Sequence, residues 1–191
     1  MPKPFDDIED AIRDVRKGKF IILVDEVRPD QVTLVPDAPD QRTSDHGWDL
    51  KEPRRLRPLI RALKASGARI SLFMDPDPGI IATAATVGAD RIELYTGPYA
   101  AAFAAAEAPL LLRRYVQAAE AATEAGLGVN AGHDLNLDNL PAFCQAIPQL
   151  VEVSIGHAIT ADALRIGFPA AVEAYLRALK RVGLQADPST Q

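Results

Sequence analysis

The stretch GLGVNAGHDLNLDNLPAFCQAIPQLVEVSIGHA, residues 126–158, decides how the chain folds. It opens on an apolar strand (126–134), passes through a helical run around 136–147, and returns to a second apolar strand (150–158). Each strand runs into a glycine–histidine pair, Gly132-His133 and Gly156-His157. Two strands joined by a single helix pair in parallel through a right-handed crossover, because a tight hairpin would turn the second strand around.

Working outward, the same rhythm repeats toward the N-terminus. DRIELYTG (90–97) is a strand, followed by two Ala-rich helical stretches split by Pro109. Before it lie the strand ARISLFMD (68–75) and a short helix around 78–87. A helix around 51–66 links ARISLFMD to the strand DQVTLVP (30–36), and a helix around 160–181 closes the chain. The pattern predicts an α/β fold: a partial (β/α) TIM-type barrel of about five strand–helix units. A complete eight-unit barrel needs ~250 residues and no fewer than ~200, and the chain has 191.

An N-terminal helix–strand unit precedes these five. Ile8, Ile12 and Val15 share one helical face over 6–17, Gly18 stops the helix, and KFIILVD (19–25) reads as a buried strand. Only the segment from Asp25 to Pro29 separates this strand from the next, too short for the crossover of a dozen or more residues that parallel neighbours need. The expected organisation is therefore a helix–strand segment (1–26), a partial barrel (27–185) and a tail (186–191). The expected product is an open six-stranded sheet or partial barrel with exposed edges, and exposed edges promote self-association into a homo-oligomer.

Composition narrows the function. Hydrophobic residues make up 48% and charged residues 25%, the balance of a globular protein. A net charge of −5 argues against nucleic-acid binding. No apolar run approaches the roughly 18 residues of a membrane span, and the opening MPKPFDD lacks a secretory layout. The expectation is a cytoplasmic protein with neither membrane nor nucleic-acid partners. The single cysteine, Cys144, lies in the apolar pattern LPAFCQAIPQL and reads as a buried structural thiol. No GxGxxG or Walker-type loop is present.

In parallel α/β folds chemistry collects at the C-terminal strand ends. The two Gly-His loops occupy the last two such positions, the usual phosphate site of a barrel, where glycine admits an anion close to backbone N–H groups; the other reading is simple turn glycines with exposed histidines. His133 is either a general acid/base or a histidine bonded to a loop carbonyl. Glu93, flanked by apolar residues in RIELYTG, points into the barrel mouth as a functional carboxylate or pairs with an arginine. His46 reads as a solvated loop histidine, and Trp48 as a pin holding its loop against the body. The three histidines sit on three loops without ligand spacing, so no metal site is expected. The Ala-rich stretch 100–125 is open to two readings, an oligomer face or a plain surface helix.

Taken in order, DQVTLVPD, QRTSDHGWDL, ISLFMDPD, RIELYTGPYA, GLGVNAGHDLN and VSIGHAI resemble the pyridoxine 5′-phosphate synthase family. The likeness runs from about Val27 to the terminal helix. It implies vitamin B6 biosynthesis by condensation of 1-deoxy-D-xylulose 5-phosphate with 3-amino-2-oxopropyl phosphate, a transferase activity with no metal or organic cofactor. By motif, Thr43 would contact the deoxyxylulose phosphate, Glu93 would stabilise the transition state and His133 would donate a proton. Gly156 and His157 would hold the aminoketone phosphate. Asp134 would contact substrate where the family often carries glycine. Three strand–helix units that precede DQVTLVPD in the family have no counterpart here, and with them go a catalytic histidine, a catalytic glutamate and arginine-rich phosphate contacts. The resemblance thus implies impaired turnover by this chain alone. The alternative is a non-catalytic, truncated or chimeric barrel that binds phosphorylated ligands or serves as a scaffold. The chimera reading rests on IEDAIRDVRKGKFIILVDE, which resembles the start of the 3,4-dihydroxy-2-butanone 4-phosphate synthase family.

Overall fold

A computed structural model of the chain describes residues 29–38, 41–50, 56–105 and 107–181. The predicted helix over 6–17 and strand over 19–25 lie outside the described residues, and so does the question of their separate origin. The described elements are β1 (Gln31–Leu34), α1 (Leu56–Ala65), β2 (Arg69–Met74), α2 (Pro78–Val87), β3 (Arg91–Tyr95), α3 (Gly97–Ala104) and α4 (Ala108–Glu124). They continue with β4 (Gly128–Gly132), α5 (Leu140–Ala146), β5 (Leu150–Ser154), α6 (His157–Ile166) and α7 (Phe168–Arg181).

The five strands form one sheet in the order β1-β2-β3-β4-β5, and every neighbouring pair is parallel. Each strand is followed by helix, so the chain advances one sheet position per unit. Side chains alternate faces along a strand. One face carries Val32, Leu34, Ile70, Leu72, Met74, Ile92, Leu94, Val129 and Ala131, which join the hydrophobic core beneath the helices. The register puts Thr33 opposite Ser71, Phe73 opposite Glu93, Glu93 opposite Asn130, and Asn130 opposite Glu152, all on the other face. That polar face is concave. Gln31 Nε2 on β1 donates to Glu152 Oε1 on β5 at 3.1 Å, so side chains of the first and last strands of the sheet meet across it. A flat sheet would hold them some four strand spacings, roughly 19 Å, apart. The sheet is therefore an arc of a barrel. A register irregularity between Val129 and Asn130 marks a bulge in the β4–β5 pairing and leaves Val151 between two paired residues, which sharpens the local bend.

Local signals account for the helices. In α2, the Asp77 side chain accepts from Gly79 N at 2.9 Å, Pro78 follows it, and the helix ends where Gly88 N–H turns back to the carbonyls of Ala84 and Ala85. α1 buries Leu56, Ile60 and Leu63, spaced to share one face. In the Ala-rich stretch, α4 packs on α2, and Ala118, Ala119 and Ala122 are fully buried. Their small side chains serve close helix packing within the chain. The predicted C-terminal helix is divided in two. Gly167 adopts φ +88° and ψ 146°, a conformation outside any helix and open in practice to glycine alone. Pro169 then sits in the first turn of α7, where a proline is tolerated.

Among the described residues, no helix is long and apolar enough to cross a membrane. Cys144 is buried on α5, and burial pushes its thiol up to about 12. Trp48 pins its loop as expected: its N–H donates to Phe73 O at 2.9 Å and Nε1 donates to Leu34 O at 2.8 Å.

Candidate functional site

The C-terminal strand ends carry the chain's reactive groups, and Glu93 sits deepest among them. The residue is 7% exposed on β3, and its Oε2 accepts from Thr33 Oγ1 of β1 at 3.0 Å. Burial pushes its carboxyl above the ordinary range; the Thr33 and Ser154 hydrogen bonds oppose this, Glu152 adds to it and His133 opposes it. Gly132 explains how such a carboxylate fits. A Cβ at position 132 would run into Glu93 Oε1 and come within 3.0 Å of Ser154 Cβ and 3.1 Å of Ser154 O. The absent side chain is the space the carboxylate occupies. Below this level Arg91 Nη1 donates to Asn130 Oδ1 at 3.2 Å and to Glu152 Oε2 at 3.1 Å, which ties β3, β4 and β5 together beneath the acid.

His133 follows directly on β4. It and Asp134 are the two non-glycine residues with positive φ among the described residues, at 80° and 60°. Left-handed backbone at consecutive side-chain-bearing positions is costly and persists only where neighbours fix it. Here the Thr96 hydroxyl sits between the carbonyls of Gly132 and His133, and Thr96 N donates to Gly132 O at 3.0 Å. From the other side Asn139, buried at the head of α5, donates Nδ2 to Asp134 O at 3.2 Å. The turn lifts the imidazole over the sheet end, where Tyr95 meets it edge-on with ring centroids 5.3 Å apart. His133 Nε2 lies 2.7 Å from Thr43 Oγ1. Its Nδ1 lies 3.0 Å from Asp134 Oδ2.

Glu93, Thr33, Ser154, His133, Asp134 and Thr43 line one open cleft of about 620 Å³. Every residue nominated from the sequence borders it: Glu93, His133, Thr43, Asp134, Gly156 and His157. Gly156 caps the N-terminus of α6, and His157 is its first residue, so the free N–H groups of that helix start lie at the cleft wall. The rings of His133 and His157 stand 6.4 Å apart. His46 is not among the lining residues; its side chain is half exposed and lies 2.5 Å from Asp45.

The model of the pyridoxal phosphate biosynthesis protein PdxJ family matches residues 8–181. The chain belongs to the PdxJ family. Its relatives include the pyridoxine 5′-phosphate synthase of Albidiferax ferrireducens, 59% identical over 150 residues, which are 78% of this chain and 60% of that protein. The pyridoxine 5′-phosphate synthase of Brucella anthropi is 56% identical over 162 residues, 84% of this chain and 66% of that protein. The enzyme of the same name from Brucella abortus is 55% identical over a stretch of the same length. The chain thus spans 60–66% of the length of these PdxJ relatives.

Some members of this cleft and its supports were out of reach of sequence reasoning. Thr33 and Ser154, the two hydroxyls on Glu93, lie on the strands at the two ends of the sheet order, far from the acid in sequence. Only the inward alternation of β1 and β5 hints at them, and it does so only once the curl of the sheet is known. Asn139 gave no signal, because its role is to hold a backbone carbonyl.

Proposed function

We propose that this chain carries the pyridoxine 5′-phosphate synthase site of its family, acting on two small phosphorylated substrates, 1-deoxy-D-xylulose 5-phosphate and 3-amino-2-oxopropyl phosphate. The observation that supports it is the convergence of Glu93, His133, Thr43, Asp134, Gly156 and His157 on one cleft, with the N-terminus of α6 at its wall.

In this reading the aminoketone phosphate sits at Gly156 and His157, where free helix N–H groups favour an anion. Thr43 binds the phosphate of the deoxyxylulose substrate, and Asp134 contacts substrate at the cleft rim through its backbone, which leaves its carboxylate to His133. His133, held at the tip of its left-handed turn, delivers a proton to a departing oxygen. Glu93 opposes the positive charge that develops on nitrogen as amine and ketone condense; its burial keeps this electrostatic action strong. The products are pyridoxine 5′-phosphate, inorganic phosphate and water. A cytoplasmic location accords with this metabolism. Self-association accords with the exposed apolar side chains Val151, Leu164, Ile166 and Phe168 on β5, α6 and α7.

The purified chain supplied with both substrates tests the reading, with pyridoxine 5′-phosphate followed by mass spectrometry. Slow turnover is expected, because the family's N-terminal catalytic histidine, glutamate and arginine contacts have no counterpart here, and His133→Ala lowers it further by about 10²–10⁴-fold, the usual cost of losing a general acid. Binding of both phosphates without any product overturns the catalytic reading in favour of a ligand-binding scaffold.

A further inference from the structure

The strained pair His133-Asp134 contains a contact that substrate binding does not require. His133 is 17% exposed at its side chain, and its Nδ1 is buried. Among the described residues, the ion-pairing group brought to that nitrogen is Asp134 Oδ2, at 3.0 Å. The approach is too bent for a full hydrogen bond, so the interaction is carried by charge more than by alignment. The other ring nitrogen, Nε2, lies 2.7 Å from Thr43 Oγ1, and Thr43 lines the cleft. The two nitrogens of one imidazole thus face different partners: a carboxylate on one side, a neutral hydroxyl beside the cleft on the other.

An imidazole with a carboxylate at one nitrogen keeps its proton there, and the other nitrogen becomes the exchanging one. We infer that Asp134 is a positioning residue that holds the proton of His133 on Nδ1, so that Nε2, beside Thr43 and the cleft, is the nitrogen that gains and gives up the catalytic proton. The backbone supports this. A φ of +60° at Asp134 suits glycine or asparagine better than aspartate. The site nevertheless holds an acidic side chain there, with Asn139 on its carbonyl and Thr96 on the two carbonyls before it. That turn carries Oδ2 to the ring of the preceding residue. Asp134 is half exposed, so the effect is moderate: one charge-assisted contact, partly screened, is worth about tenfold in the ratio of the two tautomers. The inference rests on the proposed role of His133 as a proton donor only for its kinetic consequence; the tautomer itself does not depend on that role.

Nitrogen-15 resonances of the imidazole report the tautomer directly. They are read on the intact chain, labelled at histidine, at a pH high enough that the ring-nitrogen shifts no longer change with pH. The His133→Gln variant assigns the signals. The wild-type chain is expected to hold His133 mainly as the Nδ1–H form. Asp134→Gly, which relieves the positive φ and keeps the fold, shifts the ratio about tenfold toward Nε2–H. Asp134→Asn keeps an oxygen acceptor and the turn, and retains part of the preference. A wild-type ring in the Nε2–H form overturns the inference, and so does an Asp134→Gly chain with an unchanged ratio. Where the chain turns over, Asp134→Gly lowers kcat with little change in KM. A chain with no turnover but with the expected tautomers refutes the proposed reaction and supports the positioning role.

Discussion

Replacing Gly132 with alanine tests the packing that holds Glu93 in place. The added Cβ collides with Glu93 Oε1 and presses on Ser154 at 3.0 and 3.1 Å. A carboxylate oxygen at the end of a side chain is able to swing away, but Glu93 is buried and bonded to Thr33 at 3.0 Å. Swinging out breaks that bond, at about 1–3 kcal/mol or more for a buried acceptor left unsatisfied. Staying in place costs about 1–3 kcal/mol of overpacking against Glu93 and β5. The chain takes the cheaper mixture of the two, so Gly132→Ala is expected to lose about 1–3 kcal/mol. For a domain of this size that lowers Tm by roughly 2–12 °C. Thermal and urea unfolding followed by circular dichroism measure it. The decisive comparison is a double-mutant cycle with Glu93→Ala, which removes the colliding oxygen and leaves the Ser154 contacts. In that background the cost of Gly132→Ala should fall by about 1 kcal/mol or more, as for residues in direct contact. An equal cost in both backgrounds refutes the argument that the missing side chain exists to admit the carboxylate.

Other outcomes follow from the same contacts. Burial raises the Glu93 carboxyl above its ordinary value of 4.5, so the folded chain binds this proton more tightly than the unfolded chain does. The resulting stabilisation is present in full below about 4.5 and is lost as pH rises through the raised value. Glu93→Gln should therefore gain stability relative to wild type as pH rises above about 4.5; a difference that is flat with pH in parallel urea titrations contradicts this. Trp48→Phe keeps an aromatic ring but removes the donor to Leu34 O at 2.8 Å, and should cost about 0.5–1.5 kcal/mol in urea unfolding followed by circular dichroism. Cys144, buried with its thiol pushed up to about 12, should resist a thiol reagent in the native chain and react fully in denaturant; prompt native labelling speaks against its place in the core.

The order and kind of the elements were legible in the residues alone. Apolar runs in DQVTLVP, ARISLFMD, DRIELYTG, GLGVNAGHD and LVEVSIGHA coincide with β1 to β5, because a strand covered by helices must be apolar at alternate positions or throughout. The strand-end rule then located Glu93, His133 and the Gly156-His157 pair, since a parallel sheet with helical crossovers gathers its loops at one end. The break at Gly167 was written in the Gly-Phe-Pro triplet, but the apolar periodicity on both sides masked it. How the arc curls, and what that brings together, emerges from the folded chain. Thr33 reaches Glu93 across an intervening strand, and Gln31 reaches Glu152 across the whole sheet. Contacts of that kind depend on sheet twist and curvature, the sum of many small backbone rotations that no local pattern encodes. The same holds at the turn: the sequence shows Gly132, His133 and Asp134 in a row, and only the fold shows that Thr96 and Asn139 hold two of them in a left-handed conformation that points the imidazole toward Thr43.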